Sequence, residues 1–157
     1  MNKAIAILAA GLFSTSVFAQ TVTTPAAVKA EVKAEAADVK AKKSEAKVSA
    51  KADAKVEKAE MNAADDKSQA RKKAAEAKSK ARDKAAHANS GDKVKADARA
   101  DKVEANANAK ATVKSVKADE RVAKVKAEAK SDKAVAKSNT AEVKAEGKAD
   151  VKAATAK

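Results

Sequence analysis

The sequence predicts an all-α or disordered chain with long, non-globular helices rich in Ala, Lys and Glu. After Phe18 there is no Leu, Ile, Phe, Trp, Tyr or Cys, so Ala, Val and Met61 are the apolar residues of 20–157. Ala, Lys, Arg and Glu are strong helix formers, and such sequences are largely but not fully helical in water. We therefore expect fraying helices without a hydrophobic core or tertiary contacts, and a chain that is largely disordered in water.

The first 19 residues have the pattern of an export signal. A positive start at Lys3 precedes an apolar run over 4–13, and small residues precede a cleavage point between Ala19 and Gln20. The apolar run has about ten residues, whereas a membrane-spanning helix needs about 20. Residues 1–19 are therefore predicted to be a cleaved signal peptide, and the chain is predicted to be periplasmic or secreted in a bacterium.

The composition of residues 20–157 argues against most kinds of catalytic and metal-binding site. Removal of Lys3 with the signal peptide changes the formal net charge from +13 to +12. The chain has no Cys, and His87 is its one His, which leaves no His/Cys metal site, thiol nucleophile or Ser-His-Asp arrangement. Without a core, nothing holds paired carboxylates in place or raises their pKa. We expect no enzyme, no cofactor, no metal and no small-molecule substrate.

The predicted elements begin after a Thr-rich lead at 20–25. Thr24 suits the N-cap position and Pro25 the first helical position, so a helix is predicted from there to about Ala59. The pattern loosens at 60–68, where Asn62 is predicted to cap a second helix.

A clearer break is predicted at Asn89-Ser90-Gly91, where Gly91 suits a left-handed C-cap and Asp92 starts the next helix. Residues 138–140 (Ser-Asn-Thr) form a softer break, and Gly147 weakens the last piece. These breaks divide the chain into low-complexity regions 26–90 and 91–157, each helical or disordered.

The valines do not predict a coiled coil. A Val-Lys-Ala-Glu/Asp tetrapeptide recurs at irregular spacing, which indicates low complexity and not a solenoid. Val28, Val32 and Val39 share one helical face, but Val48 and Val56 do not join it. A stable coiled coil and an oligomer are therefore not expected.

Residues 67–84 form the most basic stretch, with eight basic residues and two acids. On a helix, an alanine face lies between two cationic sectors. The alanines are Ala70, Ala74, Ala77, Ala81 and Ala85. The first sector, predicted to contact an anionic surface, is Lys67, Arg71, Lys78 and Arg82; the second is Lys73, Lys80 and Lys84. Flanking cations can reach lipid phosphates while a weakly apolar face lies at the interface.

Runs such as 30–36 and 123–129 resemble the central helical region of TolA-type cell-envelope proteins. The alanine face, lysine flanks and acidic back of 67–85 resemble group 3 late embryogenesis abundant proteins, although a strict 11-residue repeat is not present. The second resemblance implies a chain that is disordered in water and becomes helical on drying or on membranes.

Three functions remain open. The first is an exported stress protectant, which gains helix on dehydration or on anionic surfaces. The second is a cationic protein that binds lipopolysaccharide, an anionic cell-wall polymer or nucleic acid. Nucleic acid is disfavoured, because no aromatic residue after Phe18 can stack on bases. The third is a structural spacer of the envelope, as a long rod.

Overall fold

The computed structural model describes residues 24–156, which form a helical hairpin. Helix α1 spans Pro25–Ala86 and helix α2 spans Lys93–Thr155, and a 3-10 turn at Ser90–Asp92 lies between them. Each helix is about 95 Å long at 1.5 Å per residue. The predicted all-α class is confirmed over these residues, which contain no strand. The predicted signal peptide, its cleavage point at Ala19 and Gln20, and the Thr-rich lead before Thr24 lie outside the described residues.

Helix α1 begins where the sequence predicts. Thr24 is the N-cap with extended backbone angles (φ −64°, ψ 150°), and Pro25 occupies the first helical position. The Thr24 Oγ1 accepts a hydrogen bond from the Ala27 N–H at 3.3 Å. This side chain satisfies one of the backbone donors that the first turn leaves without an intrahelical partner.

The predicted break at Asn89-Ser90-Gly91 is confirmed as the turn of the hairpin, but its geometry differs from the prediction. No glycine in 24–156 has a positive φ, so Gly91 is not a left-handed cap. Instead α1 ends at the C-cap residue His87 (φ −88°). The Lys93 Nζ donates to the Ala85 carbonyl at 3.0 Å, so a cation from α2 satisfies a terminal carbonyl of α1.

The other predicted breaks are wrong. Helix α1 continues through 60–68 and α2 continues through 138–140 and Gly147. The Thr140 Oγ1 donates to the Ala136 carbonyl at 3.0 Å, so the hydroxyl is satisfied within α2 and the helix does not end there. Packing against the other helix favours continuity where local propensity is weak.

The expectation of helices without tertiary contacts is also wrong, because the two helices pack antiparallel along their length. We define the alanine seam as the buried residues of this contact. They are Ala27, Ala52, Ala63, Ala70, Ala74, Ala85, Ala100, Ala118 and Ala129. No larger side chain is buried within 24–156. Val28, Val32 and Val39, which share one helical face, are 46%, 62% and 62% exposed, so this face does not belong to the alanine seam.

Six of the nine alanines of the alanine seam follow an 11-residue interval. Ala52, Ala63, Ala74 and Ala85 follow one another at this interval in α1, as do Ala118 and Ala129 in α2. Eleven residues correspond to three turns at about 3.67 residues per turn. One face therefore stays directed at the partner helix over 52–85 of α1 and 118–129 of α2. The sequence carries this regularity at single positions, without an 11-residue repeat of the full motif.

The two helices approach each other closely at Gly147, near the open end of the hairpin. A Cβ added there would lie 2.9 Å from the Ala34 Cβ and 3.4 Å from the Ala34 Cα. Both neighbouring atoms are rigidly attached to the α1 backbone. Gly147 therefore weakens α2 locally but lets the two backbones approach.

We expect Gly147→Ala to lower the free energy of unfolding by about 1 kcal/mol. Alanine would gain about 1 kcal/mol of helix propensity, but overpacking against Ala34 costs about 1–3 kcal/mol. Thermal unfolding followed by circular dichroism measures the difference. Gly91→Ala is the control, since a Cβ at Gly91 meets nothing within 4 Å, and it should be neutral or stabilising. A gain in stability for Gly147→Ala would contradict the packing of the two helices.

Candidate anion-binding surface

Ion pairs between the helices neutralise part of the hairpin. Eight of them join α1 to α2, and all lie between residues 53 and 133. They are Lys55–Asp132, Lys67–Asp119, Lys78–Glu104, Arg82–Asp101, Arg82–Glu104, Arg121–Asp66, Lys126–Glu60 and Lys133–Asp53. Exposed pairs of this kind each contribute about 0–1 kcal/mol, so their main consequence is the distribution of charge.

Several of these pairs share one register. Glu60 lies opposite Lys126 at 2.7 Å, and one heptad later Lys67 lies opposite Asp119. One heptad earlier, Asp53 lies opposite Lys133. The ion pairs therefore follow a single antiparallel alignment of the two helices over this part of the hairpin.

Arg82 is the most connected cation of the hairpin. Its Nη2 lies 2.7 Å from a Glu104 carboxylate oxygen and 2.9 Å from Asp101. The hydrogen bond from Arg82, followed by its charge, holds the pKa of Glu104 below its ordinary value, and the same bond raises the pKa of Arg82. Because the pKa of Glu104 is lowered, this pair stabilises the hairpin above the ordinary carboxyl pKa, and the contribution is lost as the pH falls through the lowered value.

The four residues predicted to contact an anionic surface do not remain together as free cations. Lys67, Lys78 and Arg82 pair with carboxylates of α2. Arg71 is exposed and forms no ion pair with any residue between 24 and 156. The alanine face between the two sectors packs on α2, with Ala74 only 8% exposed, so it is covered by protein.

Two adjoining grooves lie on the half of the hairpin near the turn. The larger has a volume of about 700 Å³ and the smaller about 500 Å³, and Val103 lines both. Four lysines and no carboxylate line the larger groove, and the smaller is lined by three cations, His87 and one carboxylate, Asp92. We define the cationic edge as the seven Lys and Arg residues of these grooves. They are Lys73, Lys84, Lys95, Arg99, Lys110, Lys114 and Lys117.

The side chains of the cationic edge form no ion pairs with other described residues. None of its seven side chains forms an ion pair within the part of the chain that the structure describes, although ten ion pairs occur there in total. A third groove, of about 540 Å³ near the open end, differs: Lys51 and Lys55 line it together with Glu45 and Asp132. Other cations of the described residues, such as Lys29 and Lys144, also form no ion pair. The two grooves near the turn differ in that seven unpaired cations line them with a single carboxylate, Asp92.

Sequence reasoning found Lys73 and Lys84 as members of the second cationic sector but missed the contribution of α2. A signal was present, because the 14 residues of 105–118 include Lys110, Lys114 and Lys117 and no acid. This segment has three basic residues whereas 67–84 has eight, so it does not stand out as the most basic stretch of the sequence. It becomes part of a site because α1 lies beside it.

Within 24–156 no group of three or more His, Cys, Asp or Glu side chains is placed to hold a metal ion. The His87 Nδ1 lies 2.7 Å from the Asp83 carbonyl oxygen, at the end of α1. No helix of this part of the chain has the length and apolar character needed to cross a membrane.

No protein-family model, curated protein or solved structure matches this chain. A functional interpretation therefore depends on the residues and on their arrangement in the hairpin.

Proposed function

We propose that this chain is a non-enzymatic protein that binds polyanions along one side of a long helical hairpin. The observation that carries the proposal is the cationic edge, whose seven Lys and Arg side chains line two adjoining grooves and form no ion pair within 24–156. Lysines already paired with carboxylates must break those pairs to bind a ligand. Free lysines exchange only counterions, whose release favours binding.

The shape of the cationic edge suits a linear ligand. From Lys95 to Lys117 it extends along α2 for roughly 33 Å at 1.5 Å per residue. An anionic polymer with a charge every few ångströms could contact several of these side chains at once. With export predicted from the first 19 residues, we propose a phosphate- or carboxylate-bearing polymer or surface of the bacterial envelope as the partner.

The direct test is binding of polyphosphate at increasing salt concentration. Affinity should fall steeply and log-linearly with salt, because several counterions are released on binding. Fluorescence anisotropy of the labelled full chain provides the measurement. Absence of binding at 50 mM salt would reject the proposal.

A second function, the hydrated protectant or spacer, is supported by the alanine seam. Each alanine removes little apolar surface from water, so the contact between the helices stabilises the hairpin only weakly. Water loss should then raise the helix content of a chain that is partly unfolded in dilute solution. Circular dichroism of a dried film against the same sample in solution tests this, and an unchanged helix content would contradict the protectant function.

A further inference from the structure

The four lysines of the larger groove near the turn lie toward one end, together with Ala111 and Val113, and no charged residue lines the other end. Lys67 lies opposite Asp119 and Arg82 opposite Glu104, so Lys73 lies level with the residues around 112. Lys73 therefore lies at the same end of the groove as Lys110, Lys114 and Lys117. The other end is lined by Ala77, Val103, Asn106, Ala107 and Ala109.

The charge and the exposed apolar surface of this groove both suit an anionic amphiphile. No carboxylate lines the groove, so no negative charge of the groove opposes an anionic head group placed beside its lysines. Val103 is 41% exposed and Val113 is 52% exposed, so apolar surface is accessible beside those lysines. Covering such surface with an alkyl chain is favourable.

We propose that this groove binds an anionic amphiphile with its phosphate at the lysine end and its alkyl chain along Ala77, Ala107 and Val103. The inference rests on the proposed binding of polyanions, since the same lysines hold the head group. It adds one property: the affinity for an amphiphile should depend on the length of its alkyl chain. Binding of a soluble polyanion through the lysines alone has no such dependence. The groove extends along residues 103–117 of α2, roughly 21 Å at 1.5 Å per residue, which accommodates a medium-length chain.

The experiment compares octyl phosphate, dodecyl phosphate and polyphosphate by isothermal titration calorimetry of the full chain, with both amphiphiles below their micellar concentrations. Dodecyl phosphate should bind about tenfold more tightly than octyl phosphate, because its extra methylenes are partly buried. Val103→Asn should weaken dodecyl phosphate about fivefold and leave polyphosphate within twofold of the parent. Val and Asn have similar helix propensities, so the helix is retained.

Val116→Asn is the matched control. Val116 is 49% exposed and lines neither groove of the cationic edge, so its replacement should leave all three affinities within twofold. Lys114→Gln should weaken all three ligands. Equal affinities for the two amphiphiles, or equal effects of Val103→Asn and Val116→Asn, would overturn the inference while polyphosphate binding persisted. Loss of polyphosphate binding by the parent chain would instead overturn the proposed function.

Discussion

Replacing Ala34 and Gly147 with cysteine should link α1 to α2 through a disulfide within one chain. An added Cβ at 147 lies 2.9 Å from the Ala34 Cβ, slightly closer than the 3.5–4.5 Å typical of disulfides, so the helices need to separate by about 1 Å. The bridge closes a loop of more than 100 residues, for which chain entropy predicts a stabilisation of about 4–5 kcal/mol. The natural chain has no Cys, so no other thiol competes.

Thermal unfolding by circular dichroism, with and without reductant, measures the stabilisation, and a non-reducing gel distinguishes the crosslinked monomer from dimers. The control pair is Ala34→Cys with Ala149→Cys. Ala149 is exposed and lies about 200° around α2 from residue 147, so this pair should remain reduced or form intermolecular dimers. Equal crosslinking of the two pairs would show that the helices are not held in this register.

The second large effect concerns the cationic edge. Replacing Lys73, Lys110, Lys114 and Lys117 with Gln removes every cation that lines the larger groove. Affinity for polyphosphate at low salt should fall about 100-fold. The slope of log affinity against log salt should become shallower by about 3, at roughly 0.7 per phosphate contact with a single-stranded polymer.

A charge-matched control separates the site from the net charge. Replacing Lys29, Lys33, Lys40 and Lys43 with Gln removes the same four charges from the far part of α1, where these lysines are exposed and unpaired within the described residues. Under a site-specific model this variant loses less than tenfold in affinity. Equal losses in both variants would mean that polyphosphate responds to overall charge, and the groove would have no special role.

Much of the secondary structure was predictable from short stretches of sequence. Thr24 and Pro25 signal the start of α1, and Asn89-Ser90-Gly91 signals the turn, because caps and turns depend on residues within one helical turn of each other. The same local reasoning failed at 60–68 and 138–140. Packing of one helix against the other offsets the weak propensity of residues such as Asn62 and Asn139, and this contribution is not visible locally.

The alanine seam could not be predicted from short stretches of sequence. Ala74 is buried and the neighbouring Ala75 is exposed, although the residue type is identical. Their position relative to α2 makes the difference. The 11-residue interval from Ala52 to Ala85 is visible in the sequence, but alanine is so frequent that the interval has little meaning until a partner helix is present. Valine, the larger apolar residue, did not mark the contact face, since Val28, Val32 and Val39 share a face that is exposed.

The cationic site, too, could be predicted only in part from the sequence. From the sequence, Lys67, Lys78 and Arg82 are as basic as Lys73, and the stretch 67–84 is the natural candidate for an anionic surface. In the hairpin, Lys67, Lys78 and Arg82 lie opposite acids of α2. Lys73 lies instead beside three more lysines.

The sequence alone determined that residues after Thr24 form long helices with one strong turn, since helix propensity, capping and the absence of large apolar residues act over a few positions. It also determined that the chain is cationic. The tertiary structure decided which cations are neutralised and which remain free. Which cations are paired depends on the antiparallel register of the two helices, which brings together residues 22 to 80 positions apart in the sequence. The composition cannot indicate this, because it is the same for every register.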